Sequence, residues 1–443
     1  MDIYFVSLGC DKNFVDSEMM VTSLKKSGYN ITYNPDNAEI IIVNTCCFIG
    51  DAKEESINTL LEMSEYKETG KCRLLIATGC LAQRYHNEIK KEIPEVDIII
   101  GTMGYEGLAE CINQALDSKE PVIENIKSID YMPEPLTDRD AMSGSGYAYL
   151  KIAEGCDKCC TYCIIPKVRG RYRSVPMENL VAQAQHLAAG GISELILVAQ
   201  ETTLYGRDIY GKKSLPELLA KLSEIDSIKW IRILYCYPEE ITDELISAIK
   251  KLPKVCHYLD IPVQHGADSM LRRMGRRTDR AGLESVIEKL RQNIPDIALR
   301  TTVITGFPGE TDAEFKELHE FVCKNRFERL GVFTYSQEED TPAAEMPEQI
   351  PEEIKESRRS IIMELQQQIA FEKSASLAGR EMDVIVDGYL PDDEVYICRT
   401  YMDAPDVDGY VFVATDWQLI SGDFIKVRIT GSEGYDLTGE VIE

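Results

Sequence analysis

The chain has 443 residues, 44% of them hydrophobic, 14 cysteines and a formal net charge of −27. That length holds roughly two to four domains, and the excess of acid argues against a general nucleic-acid binder, which would carry a basic face. No apolar run approaches the roughly 20 residues that cross a bilayer, and the start Met-Asp-Ile-Tyr-Phe-Val reads as a strand without the basic region and cleavage site of a leader, so a cytoplasmic chain with reduced thiols and no membrane partner is expected.

Residues 1–116 alternate apolar strands with periodic helices. Strands are expected at Ile3–Leu8, Glu39–Val43, Arg73–Ala77 and Val96–Ile100, with helices at Val15–Lys26, Ala52–Tyr66, Gln83–Ile93 and Glu106–Leu116. This is the pattern of a parallel sheet with helices on both faces. Cys10, Cys46 and Cys80 each close one of these strands, about one βα unit apart. The carboxyl ends of parallel strands share one edge, where ligands bind, so three thiols distant in sequence can converge there. Three buried structural cysteines are the plainer alternative. Cys47 competes with Cys46 but should point to the opposite side if the strand geometry persists. Residues 117–146, with Pro121, Pro133, Pro135 and Ser143-Gly-Ser-Gly146, read as a crossover and linker with little structure of their own.

Residues 147–372 repeat the strand–helix theme six times, with strands near Tyr147–Ala153, Glu194–Ala199, Ile231–Cys236, Tyr258–Val263, Ala298–Ile304 and Gly331–Tyr335. Six units are too few for a closed eight-stranded barrel, so an open, partial (β/α)6 barrel is expected, with functional loops after the strand carboxyl ends. The first strand runs into Cys156-Asp-Lys-Cys159-Cys160-Thr-Tyr162-Cys163. Such short cysteine spacings usually hold a metal or a cluster. Zinc normally takes four ligands in two separated pairs, whereas three thiols on one tight loop suit an iron–sulfur cluster with one iron left open. The spacing alone allows C-x3-C-x2-C through Cys160 or C-x2-C-x3-C through Cys159.

Three further loops follow strands: Gln200-Glu201-Thr-Thr-Leu-Tyr205-Gly206, Gln264-His265 and Thr305-Gly306-Phe-Pro308-Gly309-Glu310-Thr311. A glycine-rich turn into a helix capped by Thr311 explains the last of them equally well. His265 is expected to be a hydrogen-bonded structural residue, and no general acid or base is assigned. Lys167, Arg169, Arg171 and Arg173 form one basic run, solvated by default or placed to orient an anion. Arg272, Arg273, Arg276, Arg277 and Arg280 form a second.

A long polar helix over 353–373 precedes residues 375–443, where short strands at Met382–Val386, Val395–Cys398, Phe424–Ile429 and Leu437–Ile442 suggest a small β-barrel. This stretch holds 4 basic residues (Arg380, Arg399, Lys426 and Arg428) against 15 acidic ones, a net of −11. Such a field repels phosphate backbones and attracts basic proteins.

The loop Cys156, Cys160, Tyr162 and Cys163, with the flanking Glu154-Gly155 and Ile165-Pro166, resembles the radical S-adenosylmethionine (SAM) enzymes and, within them, the methylthiotransferases. Gly9-Cys10-Asp-Lys12-Asn13-Phe-Val15-Asp16-Ser17-Glu18, Asn44-Thr45-Cys46 and Thr78-Gly79-Cys80-Leu-Ala-Gln83-Arg84 look like the signature blocks of that family's amino-terminal domain. The terminal barrel looks like the TRAM module, and Arg399-Thr-Tyr-Met-Asp403-Ala-Pro405-Asp406-Val-Asp408-Gly409 resembles the branch that modifies a ribosomal protein. The resemblance implies two [4Fe-4S] clusters, one on Cys156, Cys160 and Cys163 and one on Cys10, Cys46 and Cys80, with Cys159 as an extra thiol. It places SAM against Tyr162, Gln200, Glu201, Arg300 and Gly306. It implies methylthio transfer to the β-carbon of an aspartate in the small-subunit ribosomal protein numbered twelve, with a one-electron donor as second partner. Docking of that basic protein is expected on the acidic barrel, through Asp403, Asp406 and Asp408 on a solvated loop, and tRNA binding is not expected. The alternatives are a tRNA adenosine methylthiotransferase and, in another class, a non-enzymatic iron–sulfur carrier or binding module.

Overall fold

The runs Ile40–Thr45 and Leu74–Gly79 are buried at every position, as strands covered on both faces must be. They form the centre of a parallel sheet in a computed structural model that describes residues 1–117, 122–144 and 146–442. Its strands are β1 (Asp2–Ser7), β2 (Asn30–Thr32), β3 (Ile40–Thr45), β4 (Leu74–Gly79), β5 (Ile98–Ile100) and β6 (Ile123–Asn125), in the order β2-β1-β3-β4-β5-β6. Helices such as Asp11–Lys26 and Gly50–Ser64 fall between them. Two strands are additional to the four expected. Both are three-residue edge strands with at most one buried residue, too short and too polar for an alternation to register. β6 lies inside the 117–146 stretch that was expected to be a crossover, so that expectation is corrected there.

β7 (Tyr147–Lys151) opens a second sheet. β8 (Ala153–Glu154) and β9 (Arg173–Ser174) then pair as a short antiparallel ribbon around the cysteine loop. The second sheet continues with β10 (Glu194–Val198), β11 (Trp230–Ile233), β12 (Val255–Asp260), β13 (Ala298–Thr305) and β14 (Arg329–Thr334). It is open, all parallel and ordered β14-β13-β12-β11-β10-β7. After the helix Glu352–Ala375, a closed barrel is built from β15 (Glu381–Leu390), β16 (Val395–Thr400), β17 (Val411–Val413), β18 (Phe424–Glu433) and β19 (Asp436–Val441). β17 was not expected from the sequence, being only three residues long. Among the described residues no helix is long and apolar enough to cross a membrane.

The chain divides into two compact units. One comprises Met1–Ala141, Ala153–Val175 and Ser336–Ala344, the other Met142–Ile152, Pro176–Tyr335 and Glu345–Glu443. This division departs from a plain 147–372 domain, because the loop with Cys156, Cys160 and Cys163 packs with the amino-terminal sheet. Ile164 and Val168 share a buried apolar cluster with Val43, Ala77 and Leu81.

In the second unit the terminal barrel packs on the parallel sheet. Tyr147, Ile196, Val198 and Tyr258 share a core with Val384, Val411, Val413 and Val427. Charge crosses the same boundary. Glu194, fully buried, accepts from Arg232 Nε and from Arg399 Nη2, each at 2.8 Å. The two guanidiniums outweigh the effect of burial and hold its carboxyl below the usual range. The expectation of a solvated loop fails on the same ground for Asp403 and Asp408, whose side chains are covered, while Asp406 is exposed. Asp403 is buried and pairs with Arg329. Asp408 accepts from Tyr258 Oη at 2.8 Å and from its own chain at Ala404 N, 2.9 Å. Asp406 accepts from Tyr147 Oη at 2.9 Å. These carboxylates hold the barrel to the sheet, and two of the three are not displayed to solvent. Replacing Asp403 by Asn removes the carboxylate that pairs with Arg329 and leaves only the more weakly acting Asp408, and removing one partner of a buried pair costs about 3–5 kcal/mol. Urea unfolding of the full chain should register a loss of that order in the transition containing the barrel. A loss no larger than an exposed pair produces, below about 1 kcal/mol, would contradict this placement.

Candidate active site

The three amino-terminal cysteines follow from strand register. Ser7 pairs with Asn44, Asn44 with Thr78 and Thr45 with Gly79, so the chain reaches Cys10, Cys46 and Cys80 along one edge of adjacent strands. Polar residues of the three signature blocks then tie the ends together. Asn13 Nδ2 donates to Leu8 O at 2.6 Å and Thr45 O at 3.3 Å. Asn44 Nδ2 donates to Asn13 O and Ser17 Oγ, both at 2.8 Å. Thr45 Oγ1 donates to Thr78 O at 2.5 Å. Gly9 is in the left-handed region, φ +86°, and a Cβ there would stand 2.7 Å from Cys46 Cβ and 2.9 Å from its Sγ. Only glycine lets the first strand end close on the second cysteine. Burial pushes the Cys46 thiol up, and the neighbouring Cys10 adds to the shift.

Cys47 is buried in an apolar cluster with Leu60 and Leu75, and burial raises its thiol to about 12. Cys80 belongs to the same cluster, and Cys47 is among the neighbours that push the Cys80 thiol up, so strand alternation does not set Cys47 apart from the triad.

On the second cysteine loop Cys156 and Cys160 are buried, Cys163 half-buried and Cys159 exposed. Cys159 adopts φ 54°, turning its side chain out of the run. Burial pushes the Cys163 thiol up, with Cys160 and Cys156 its nearest sulfur neighbours in effect. Cys156 N donates to Gly170 O at 3.1 Å, closing the loop on itself. Tyr162 is half-buried inside this turn. Among the described residues no three cysteine, histidine or carboxylate side chains close on one point as a single ion requires. A cluster that takes each thiolate on a different iron makes no such demand. The donor set, all sulfur, with a glycine cradle beside Cys46, fits iron–sulfur chemistry.

The second unit places the remaining expected residues. Gln200 and Glu201 follow β10 directly. Glu201 is fully buried and accepts from Thr203 N at 2.9 Å and from the Thr203 hydroxyl. Tyr235 and Gln264, after β11 and β12, hold φ of 60° and 71°. Such strain in non-glycine residues collects at functional sites, and only the coordinates reveal it. Gln264 Oε1 is buried and accepts no hydrogen bond among the described residues, an acceptor left for a ligand. His265 accepts from Ala267 N through Nδ1 at 3.0 Å, which leaves its proton on Nε2, 3.0 Å from Glu310 Oε1. Glu310 also accepts from Gly306 N and Arg358 Nη1. His265 is therefore the structural residue expected.

Gly306, φ +70°, is in the left-handed region, and a Cβ there would strike the Lys355 side chain. Glycine is needed there for packing against the long helix. Arg300 Nη1 donates to Asp260 Oδ1 at 3.1 Å, and its Nε lies 3.6 Å from Asp408. Its charge is matched within the sheet and barrel, an arrangement that the spacing of residues could not reveal. The basic run 167–173 splits: Lys167 and Arg171 are exposed, but Arg169 is buried, donating to Cys80 Sγ at 3.3 Å. Asp16, Asn13 and Glu154 complete its shell.

An amino-terminal α/β sheet bearing three cysteines, a partial parallel barrel with a cysteine loop at its first strand, and a terminal five-stranded barrel together define a three-domain radical SAM enzyme. Residues 2–101 match the uncharacterized protein family UPF0004, residues 150–322 the radical SAM superfamily and residues 378–442 the TRAM domain. The ribosomal protein uS12 methylthiotransferase RimO of Lachnoclostridium phytofermentans is 58% identical over 439 residues, 99% of each chain. That of Acetivibrio thermocellus is 48% identical, covering 99% of this chain and 97% of its own. Among solved structures, the radical SAM methyltransferase TsrM from Kitasatospora setae, with cobalamin and a [4Fe-4S] cluster bound, shares the fold. Its TM-score is 0.58 at 13% identity, over 77% of this chain and 76% of that one. The chain belongs to the RimO family of radical SAM methylthiotransferases.

The exposure pattern of the cysteine loop can be read directly. Brief alkylation of the native protein followed by peptide mass mapping should label Cys159 well before Cys156 or Cys160. Equal labelling of all three would show that Cys159 does not stand outside the loop.

Proposed function

We propose that this chain adds a methylthio group to the β-carbon of an aspartate of ribosomal protein uS12, in the cytoplasm, with SAM and two [4Fe-4S] clusters. The observation that carries the two-cluster reading is the gathering of both cysteine triads in one compact unit, alongside relatives named for that activity along the whole chain. Cys156, Cys160 and Cys163 hold the cluster with the open iron, and Cys10, Cys46 and Cys80 hold the other. When bound, these groups and SAM supply the radical and sulfur chemistry, which no side chain provides. The protein's part is to position and to exclude water. Tyr162 shapes the cysteine turn. Gln200, Glu201, Gln264 and the turn at Gly306 line the strand carboxyl ends of the second unit as the SAM contacts. Arg300 acts through Asp260 to keep that edge in place.

The ribosomal protein is basic chemistry for an acidic surface. With Asp403 and Asp408 buried, the acids left exposed on the terminal barrel include Asp392, Asp393 and Glu394 on the β15–β16 turn, and these are assigned to docking. Neutralising the three to amides should slow association with isolated uS12 at low salt, with the difference fading toward 1 M, where the screening length is about 3 Å. Unchanged association kinetics would move the docking surface elsewhere. The one-electron donor is a second partner.

Mass spectrometry of uS12 and of bulk tRNA after anaerobic reaction tests the activity. The modified aspartate should appear in uS12 alone, and a methylthio-adenosine in tRNA would replace this reading by the tRNA one. Changing Cys156, Cys160 and Cys163 to Ala should abolish SAM cleavage. Changing Cys10, Cys46 and Cys80 to Ala should spare cleavage and stop methylthio product. Full product from the latter variant would place the sulfur source outside that triad.

A further inference from the structure

Among the described residues of the first unit, the guanidinium of Arg169 meets a thiol ligand candidate directly. It is buried, and all three of its nitrogens are engaged. Nε donates to Cys80 Sγ at 3.3 Å, Nη1 to Asp16 Oδ2 at 2.6 Å and Glu154 Oε2 at 3.2 Å, and Nη2 to Asn13 Oδ1 at 3.0 Å. Each partner stands for a different piece of the site. Asn13 ties the first and second strand ends, and Cys80 closes the third. Glu154 lies two residues before Cys156, whose N–H is held by Gly170 O, one residue beyond Arg169. Arg169 therefore spans the amino-terminal triad and the base of the second cysteine loop. A planar fork with fixed donors makes such a span in a way lysine does not.

The basic run 167–173 looked like solvated charge, and the buried position of one member needs another explanation. A positive group buried without cause is costly. Here a thiol that becomes a thiolate when it binds iron, together with two carboxylates, supplies the compensation. Hydrogen bonds to ligand sulfurs and nearby net charge are the levers by which a protein sets the potential of an iron–sulfur cluster. A donor and a positive charge both favour the more negative, reduced state.

We propose that Arg169 is the positioning residue that sets the electronic character of the group held by Cys10, Cys46 and Cys80, raising its reduction potential through the Nε–H···Sγ bond to Cys80. This rests on the assignment of that triad as cluster ligands.

The test uses the full chain with Cys156, Cys160 and Cys163 changed to Ala, so that only the amino-terminal cluster is loaded. Into it are placed Arg169→Gln, Arg169→Lys and, as a control, Arg171→Gln at an exposed neighbour. Redox titration followed by electron paramagnetic resonance should show a lower midpoint potential for Arg169→Gln. Arg169→Lys, which keeps charge without the fork, should fall between it and the parent, and Arg171→Gln should match the parent. Resonance Raman should show the iron–thiolate stretch strengthened in Arg169→Gln, since a hydrogen bond to sulfur weakens that bond. A fully loaded Arg169→Gln with unchanged potential and stretch would overturn the inference. So would natively folded Gln and Lys variants that both fail to take up iron, because Arg169 would then be a structural support only. A parent that takes up no iron would overturn the ligand assignment itself, a failure distinguishable from the other two.

Discussion

Parallel pairing of β1, β3 and β4 in register is the constraint on which the site depends. Once Ser7 stands beside Asn44, and Asn44 beside Thr78, the next residues of each strand have no choice of edge. Cysteines more than thirty residues apart in the chain arrive side by side, as the carboxyl ends of an open parallel sheet dictate. The helices fill both faces and leave that edge as the place where chemistry can happen. Asn13, Asn44 and Thr45 then convert alignment into fixed spacing by satisfying the backbone groups freed where the ladder stops.

A second electrostatic theme runs through the other unit. Glu194, Arg232 and Arg399 are buried together, and Arg329 and Arg300 meet Asp403 and Asp408. Buried pairs of this kind contribute little net stability over an apolar replacement, yet breaking one is costly, so they fix orientation. A small barrel that would otherwise slide on an apolar sheet is thereby held in one register. The same residues explain why the net charge of the barrel does not describe its exposed face. Arg399 and several of the barrel's acids cancel inside, so the exposed face is set by residues such as Asp392 and Asp393.

Much of this was legible in the sequence where pattern and geometry share a period. The alternation of apolar strands and helices placed the central strands of both parallel sheets. Cysteines at strand ends marked the first triad, but alternation did not separate Cys47, which shares a buried cluster with Cys80. The edge strands β2, β6 and β17 escaped because three residues are too few to show a period. Asp403 and Asp408 escaped because a carboxylate in a loop is solvated by default, and only tertiary packing supplies Arg329 and Tyr258. Arg169 was masked by its exposed neighbours Lys167 and Arg171. Tyr235 and Gln264 carry their signal in backbone dihedrals, which composition does not record.

Each of the two cysteine triads is proposed to hold its own cluster. Anaerobic reconstitution of the full chain, with iron and sulfide analysis and Mössbauer spectroscopy, measures this directly. Two [4Fe-4S] clusters require roughly eight irons per chain, falling to about half when either triad is changed to Ala. A fully active protein with only four irons would contradict the account.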